Sequence, residues 1–185
     1  MSQTSPRIPP VAPETFTPEQ KALVGEWTAL NFSRVIVEHP ALYRALMPLI
    51  AKLVGGSDLP PRDREVILLR TLALCNEVYE YSHHVLIARG AGLTDAEIEA
   101  AASGGPDLSP FDQTLVRATE ELVRDQRVSD ATWQALGARY GSVQLMEVVS
   151  LVGGYVLMAM LTKSFNIELE DAETFARFSE LRTYT

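Results

Sequence analysis

The stretch "LPPRDREVILLRTLALCNEVYEYSHHVLIARGAGLTDAEIEA", residues 59–100, decides the fold class. Between Arg62 and about Leu74, apolar residues recur at the spacing of one helix face. A second helix is predicted over about Val78 to Arg89, and the glycines of "GAGLT" are typical of its end. The "TDAE" that follows is a capping box, in which Thr94 and Glu97 satisfy each other's backbone N–H groups. The stretch therefore predicts two antiparallel helices and the start of a third.

The segments before and after this stretch also have the residue spacing of helices. No segment shows the alternation of apolar and polar residues that is typical of a β-strand. Residues 1–16 are rich in proline and are expected to form an extended N-terminal arm. Helices are predicted from Thr17 to about Ala29, from Asn31 to Glu38, and from Pro40 onward, where Pro48 should kink or interrupt the helix. We therefore predict a single all-α domain over residues 17–185.

Two segments of this domain resemble each other. "LPPRDREVILLRTLA" and "LSPFDQTLVRATEEL" both run from Leu and Pro through Asp into an amphipathic helix. The domain could consist of two related halves, or the two segments could be unrelated helices that begin with a similar capping sequence.

Composition excludes several function classes. Sixteen Lys and Arg against 24 Asp and Glu give a net charge of -8, which argues against nucleic-acid binding and against anionic membranes. The single cysteine cannot form an internal disulfide, so a reducing cytoplasmic location is expected. The apolar run from Leu151 to Leu161 is too short to span a bilayer and indicates a buried helix. The apolar fraction of 46%, together with the apolar helix predicted from Val143 to Phe165, favours a homo-oligomer. The acidic net charge predicts no nucleic-acid and no membrane partner.

The candidate site lies in the two central helices. Glu80 precedes His84 by one helical turn, so the two side chains lie on one face, where a carboxylate can orient an imidazole as a general base. Glu65, on the preceding helix, is at a similar distance from the connecting turn and could meet His84 between the helices. His83 points about 100° away from His84, so we expect it at the surface or at an interface, where it would be dispensable.

Other readings of these residues stay open. Glu80, His84 and Glu65 could hold a metal, but an isolated E-x-x-x-H is a weak signal, and we predict no metal and no cofactor. Tyr81 could line a substrate pocket. Gly153 and Gly154 are costly within a helix and indicate either close helix packing or room for a ligand.

The region from about Leu59 to Ala101 resembles the signature region of the carboxymuconolactone decarboxylase and alkylhydroperoxidase-D-like superfamily. The resemblance rests on an R-x-R-E helix start, a Y-E-[WY]-x-x-H helix and an A-G-L-[ST]-x-x-E-I close. It implies an alkylhydroperoxidase-D-like helical fold and assembly into dimers, trimers or hexamers.

The resemblance also separates two chemistries. In the peroxidase branch, a C-x-x-C motif supplies two thiols, and its cysteine positions fall on Glu77 and Glu80 of this chain. Cys75 has no second thiol with which to cycle. The decarboxylase branch keeps a glutamate four positions before the histidine, which matches Glu80 and His84.

The sequence thus predicts a cofactor-independent lyase of the decarboxylase-like branch. It would move a proton on a small lactone or keto acid with His84, Glu80 and Glu65. A one-cysteine peroxidase using Cys75 is one alternative, and a non-catalytic helical binding or assembly protein is another.

Overall fold

The computed structural model describes residues 5–106 and 108–181, and of 177–181 it describes the backbone only. This part of the chain contains α-helices, short 3₁₀ helices at Pro13–Thr15 and Gly25–Ala29, and no strand. The all-α prediction is therefore confirmed. In chain order, the helices are α1 (Pro18–Val24), α2 (Asn31–Ile36), α3 (Pro40–Val54), α4 (Pro61–Leu74), α5 (Tyr79–Gly90), α6 (Asp95–Ser103), α7 (Pro110–Asp125), α8 (Asp130–Gly137), α9 (Ser142–Phe165) and α10 (Ala172–Leu181).

Local sequence signals explain most helix ends. Proline occupies the first turn of α1, α3, α4 and α7, where its missing N–H is not needed. The Thr94–Glu97 capping box at the start of α6 forms as predicted. The first helix is shorter than predicted. It stops at Val24 because Gly25 takes a φ of 53°, and a 3₁₀ turn carries the chain on to Ala29.

Helix α4 is the centre of the fold. It packs against α5, α6, α7 and α9. Its apolar side chains Val66, Ile67, Leu68, Leu69 and Leu72 are fully buried. Because α4 is covered on several sides, the groups that it shares with α5 and α9 are removed from water. Its similar partner segment, α7, packs directly against it.

Helix α3 remains continuous through Pro48, so the interruption that the sequence analysis allowed for does not occur. Pro48 is on the exposed side of the helix, where water can satisfy the backbone carbonyl that proline leaves without a partner. The buried side of α3 carries Tyr43, Leu46, Ile50 and Leu53.

Helix α9 crosses the core and meets α3 at a glycine. A Cβ at Gly154 would lie 2.9 Å from Leu53 Cδ1, whereas a Cβ at Gly153 would meet nothing within 4 Å. Gly154 thus allows close packing of α3 on α9, which is one of the two explanations for the glycine pair. By length and composition α9 could cross a membrane, but 56% of its most apolar window is buried inside the protein. That burial is typical of a core helix in a soluble domain.

Both ends of the described chain are attached to this body. In the N-terminal segment, Arg7 N–H donates to the Phe165 carbonyl (2.9 Å) and Val11 N–H to the Arg34 carbonyl (3.1 Å). After α9, Glu170 is buried and returns the chain to the start of α2, where it accepts from Asn31 N–H at 2.7 Å. This return brings a second carboxylate close to α5.

Candidate active site

A cavity of about 480 Å³ lies between α3 on one side and α5 and α9 on the other. Its walls are mainly apolar and come from the segment 23–33, from α3, and from Ile87 and Met158. Polar groups of α5 and α9 converge on it, namely Tyr79, Glu80, His83, His84 and Tyr155. An apolar cavity with a few convergent ionisable groups is the usual form of a small-molecule site.

His84 is held at both ring nitrogens. Its Nδ1 lies 2.7 Å from Glu65 Oε2, and its Nε2 lies 2.7 Å from the Tyr155 hydroxyl. His84 and Tyr155 are each 2% exposed and Glu65 is fully buried, so water does not compete for these bonds. In a neutral imidazole, Nδ1–H donates to the carboxylate and Nε2 accepts from the hydroxyl.

Arg64 completes this chain of groups on the side away from the cavity. Its Nε–H donates to Glu65 Oε1 at 3.0 Å, and another guanidinium N–H donates to the Val54 carbonyl at 2.5 Å. The buried ion pair balances the charge of Glu65 and fixes the rotamer that reaches His84.

Glu80 is not the partner that orients His84, as the helical spacing had suggested. Glu65 takes that place, and the Glu80 carboxyl lines the cavity. Burial raises the pKa of Glu80, and this effect outweighs the lowering by the nearby His84 and His83 rings. The position of Glu80 at the cavity suits an acid/base group better than the orienting partner that the helical spacing predicts.

Glu77 has a structural role at the start of α5. Its carboxylate accepts from the backbone N–H groups of Tyr79 (3.0 Å), Glu80 (2.7 Å) and Tyr81 (3.3 Å). A carboxylate in this position satisfies the open donors of a helix N-terminus and complements the helix dipole. It thereby fixes the start of the helix that carries Glu80 and His84.

His83 is buried within the protein, so the expectation that it lies at the surface or at an interface is wrong. Its Nδ1 lies 2.8 Å from the Tyr79 carbonyl and its Nε2 3.0 Å from Glu170 Oε2. The Tyr79 hydroxyl also donates to Glu170, at 2.5 Å. The tertiary fold buries His83 because the segment after α9, which returns with Glu170, covers the second face of α5.

The charges of this second pair are mutually supported. Burial lowers the pKa of His83, but the hydrogen bond to Glu170 and the charges of Glu80 and Glu170 reverse the shift and raise it. Burial raises the pKa of Glu170, but hydrogen bonds from His83 and Tyr79 outweigh this and lower it. His83 and Glu170 are thus stabilised as an ion pair at the edge of the cavity.

Two further sequence candidates lie outside the cavity. Tyr81 is half-buried and is not among the described residues that line it, whereas Tyr79 and Tyr155 are. Cys75 is half-buried at the end of α4 and also does not line it. Burial raises the pKa of the Cys75 thiol and outweighs the lowering effect of the Lys163 charge. The raised pKa disfavours the reactive thiolate.

Sequence reasoning missed Tyr155, His83 and Glu170 as parts of the site. Tyr155 offered one signal, a hydroxyl inside the otherwise apolar run "LVGGYVLMAML". Among the residues that the structure describes, no group of three His, Cys, Asp or Glu could hold a metal ion.

Comparison with known proteins gives one family and several solved structures. Residues 40–106 match the model of the carboxymuconolactone decarboxylase family. An uncharacterized peroxidase-related protein from Ralstonia eutropha JMP134, an alkylhydroperoxidase AhpD core, superposes with a TM-score of 0.77 at 16% identity, covering 98% of this chain and 99% of that one. An uncharacterized peroxidase-related protein from Silicibacter sp. TM1040 gives a TM-score of 0.75 at 14% identity, covering 96% and 100%.

A third structure, a protein of unknown function from Agrobacterium tumefaciens, gives a TM-score of 0.63 at 15% identity, covering 71% of this chain and 92% of that one. No curated protein matches the sequence. The matched family region holds Glu65, Glu80 and His84 but ends before Tyr155.

Proposed function

We propose that this chain, whose residues 40–106 match the carboxymuconolactone decarboxylase family model and whose fold is similar to that of an alkylhydroperoxidase AhpD core, is a cofactor-independent enzyme that moves a proton next to a carbonyl group. Its substrate would be a small lactone or keto acid, and the reaction a decarboxylation or an isomerisation. The observation that carries this proposal is the Glu65–His84–Tyr155 chain at an apolar cavity that Glu80 also lines.

Glu80 moves the proton at carbon. Burial raises its pKa, so its protonated form persists to higher pH than that of an ordinary glutamate. A neutral carboxyl in an apolar cavity can protonate the carbanion or enolate that decarboxylation leaves. In an isomerisation, the carboxylate takes the proton from one carbon and the carboxylic acid returns it to another.

Tyr155 stabilises the charge that develops on the substrate oxygen. Its hydroxyl can turn from His84 to donate to that oxygen while a protonated His84 donates to Tyr155 from Nε2. Glu65 then balances the imidazolium through Nδ1–H at the observed 2.7 Å contact. Donors that are already fixed in a dry site stabilise such charge without reorganisation.

The test is a panel of small lactones and keto acids with the purified protein. Once turnover is found, His84→Asn and Glu80→Gln should each lower kcat by about two to four powers of ten, and Tyr155→Phe by about two. Controls are Glu99→Gln and Tyr81→Phe, which change matched side chains outside the cavity. Circular dichroism would show that each variant is folded.

Two results would overturn the proposal. One is wild-type turnover in both His84→Asn and Glu80→Gln. The other is robust peroxide consumption with a thiol donor that Cys75→Ser abolishes, which would favour the one-cysteine peroxidase.

A further inference from the structure

The cavity has polar groups of different kinds at its solvent side and at its buried side. His84 and Tyr155 are both 2% exposed, whereas Arg44, which also lines the cavity, is an exposed residue of α3. Among the described residues that line the cavity, Arg44 is the only Lys or Arg. The guanidinium of Arg44 thus lies on the open side of a mainly apolar cavity, opposite the buried ionisable groups of α5 and α9.

The present partner of Arg44 is easily replaced. The Arg44 guanidinium forms an ion pair with Glu19 of α1, and the side chains are 51% and 53% exposed. Ion pairs between exposed side chains contribute little to stability, because water competes for both charges. A ligand carboxylate can therefore take the place of Glu19, and a guanidinium is suited to hold it with two parallel hydrogen bonds.

The walls define the rest of the ligand. Aromatic and aliphatic side chains line most of the cavity, among them Trp27, Phe32, Met47, Ile50 and Met158. The volume of about 480 Å³ is within the usual range of small-molecule sites. Such walls favour an apolar body and disfavour a small molecule that carries several charges.

Building on the proposed function, we infer that the substrate is an amphipathic monocarboxylic acid. Its carboxylate binds Arg44 at the mouth of the cavity, and its apolar body extends along α3 toward Glu80 and His84. A carboxylate held by Arg44 is stabilised before reaction, and losing it would forfeit that interaction. The group that reacts is therefore a carbonyl deeper in the cavity, which selects isomerisation at that carbonyl over loss of the held carboxylate.

Binding can be measured without turnover because Trp27 lines the cavity. The other tryptophan, Trp133, lies in α8 and is 44% exposed, so a Trp133→Phe background leaves one reporter at the site. Octanoate, butanoate and methyl octanoate serve as probes, with calorimetry as a second readout. Octanoate should bind more tightly than butanoate by about fourfold per added methylene, and about tenfold more tightly than its methyl ester.

Matched variants test the role of Arg44. Arg44→Gln should abolish the preference for octanoate over its ester, and Arg44→Lys should keep part of it, because lysine retains the charge without the fork. Glu19→Gln should tighten octanoate binding by removing the competing carboxylate. Arg89→Gln is the control, since Arg89 of α5 forms a similarly exposed pair with Asp95 of α6 and does not line the cavity.

A second pair of variants tests the cavity itself. Ala51→Phe introduces a ring at a lining position and should weaken octanoate binding at least about tenfold, since a filled pocket forfeits the apolar burial. Ala45→Phe adds the same ring at an exposed α3 position that does not line the cavity, and should have no effect.

Equal binding of octanoate and its ester, or an unchanged preference in Arg44→Gln, would overturn the inference. The outcome is separable from that of the proposed function. The His84→Asn variant should still bind octanoate. If the wild-type protein binds octanoate but turns over no substrate of the panel, only the proposed function is contradicted. If it turns over a substrate but shows no preference for the carboxylate, only this inference is contradicted.

Discussion

At the residue scale, the two adjacent histidines show how neighbours assign different roles to the same side chain. His84 lies between Glu65 and the Tyr155 hydroxyl, in a chain that ends at the cavity. His83 lies between the Tyr79 carbonyl and Glu170, and it attaches the segment after α9 to α5. The first arrangement suits proton transfer, and the second forms a buried ion pair that depends on pH.

The His83–Glu170 pair should stabilise the fold in a limited pH window. The raised pKa of His83 means that its contribution is fully present below its ordinary value of 6.5 and is lost as pH rises through the raised value. The lowered pKa of Glu170 means that its contribution is present above 4.5 and is lost as pH falls through the lowered value. Both contributions are therefore complete between these two ordinary values.

We expect Glu170→Gln to destabilise the protein by about 3 kcal/mol in that window, because it leaves a buried histidine without its carboxylate. The cost should shrink well above the raised pKa of His83, where the ring is neutral in both proteins. Urea unfolding of wild type and variant in mildly acidic and in alkaline buffer measures this difference. The exposed Glu168→Gln is the control, and an equal cost at both pH values would contradict the prediction.

At the element scale, the contact between α3 and α9 depends on the absence of one side chain. Gly154 brings the helices so close that a Cβ there would be 2.9 Å from Leu53 Cδ1. Leu53 is itself buried, at 3% exposure, and cannot move into solvent. The contact lies beside the cavity, which residues of α3 and Tyr155, the next residue of α9, both line.

Gly154→Ala should therefore destabilise the protein by about 1–3 kcal/mol, as overpacked cores do. Gly153→Ala, whose Cβ would meet nothing within 4 Å, should be neutral or stabilise it by up to about 1 kcal/mol. Denaturant titration of the two variants gives the comparison.

A double-mutant cycle then assigns the cause. Leu53→Val removes the Cδ1 atom that the new methyl group would strike, so the cost of Gly154→Ala should fall in that background. An unchanged cost would show that the clash lies elsewhere.

At the scale of the whole molecule, α9 leaves an apolar face uncovered. Met146 is 68% exposed and Met160 60%. Val143, Val149 and Leu157, which share this face at helical spacing, are between 40% and 57% exposed. Contiguous exposed apolar surface of this kind is typical of a protein–protein interface. We propose that a second copy of the chain covers it, as the composition had led us to expect.

Light scattering coupled to gel filtration should accordingly find a dimer or larger homo-oligomer at micromolar concentration. Met146→Glu and Met160→Glu should each shift the population toward monomer, because a charge would be buried at the contact. Val78→Glu alters an exposed valine, 67% accessible, outside this face and should change nothing. A wild-type protein that is only monomeric would contradict the proposal.

Much of the fold was predictable from local patterns. The helical spacing of apolar residues in α4 and the Thr94–Glu97 capping box depend on neighbours in sequence, and both appear as predicted. Local patterns were less informative where the outcome depended on which side of a helix faces solvent. Pro48 does not interrupt α3, because the helix presents it to solvent while its opposite side packs in the core.

Only part of the candidate site was predictable from the sequence, because Tyr155, His83 and Glu170 come to it through distant contacts. The positions of Glu65, Glu80 and His84 in one region followed from helix spacing and a short turn. The hydrogen-bond partner of His84 did not follow from the sequence. A spacing of four residues allows Glu80 to contact His84, but a carboxylate from another helix can lie closer and take that place. Glu65 does so at 2.7 Å.

The sequence by itself determined the helical class, the central helix pair and the absence of a second thiol, since these follow from composition and from residues near each other along the chain. Only the tertiary structure decided that His84 bonds to Tyr155, which is 71 positions away along the chain. It also decided that Glu170 covers His83 and that Arg44 borders the cavity. These contacts join helices that are far apart in sequence. Their distances depend on how the whole core packs around α4, which no local pattern records.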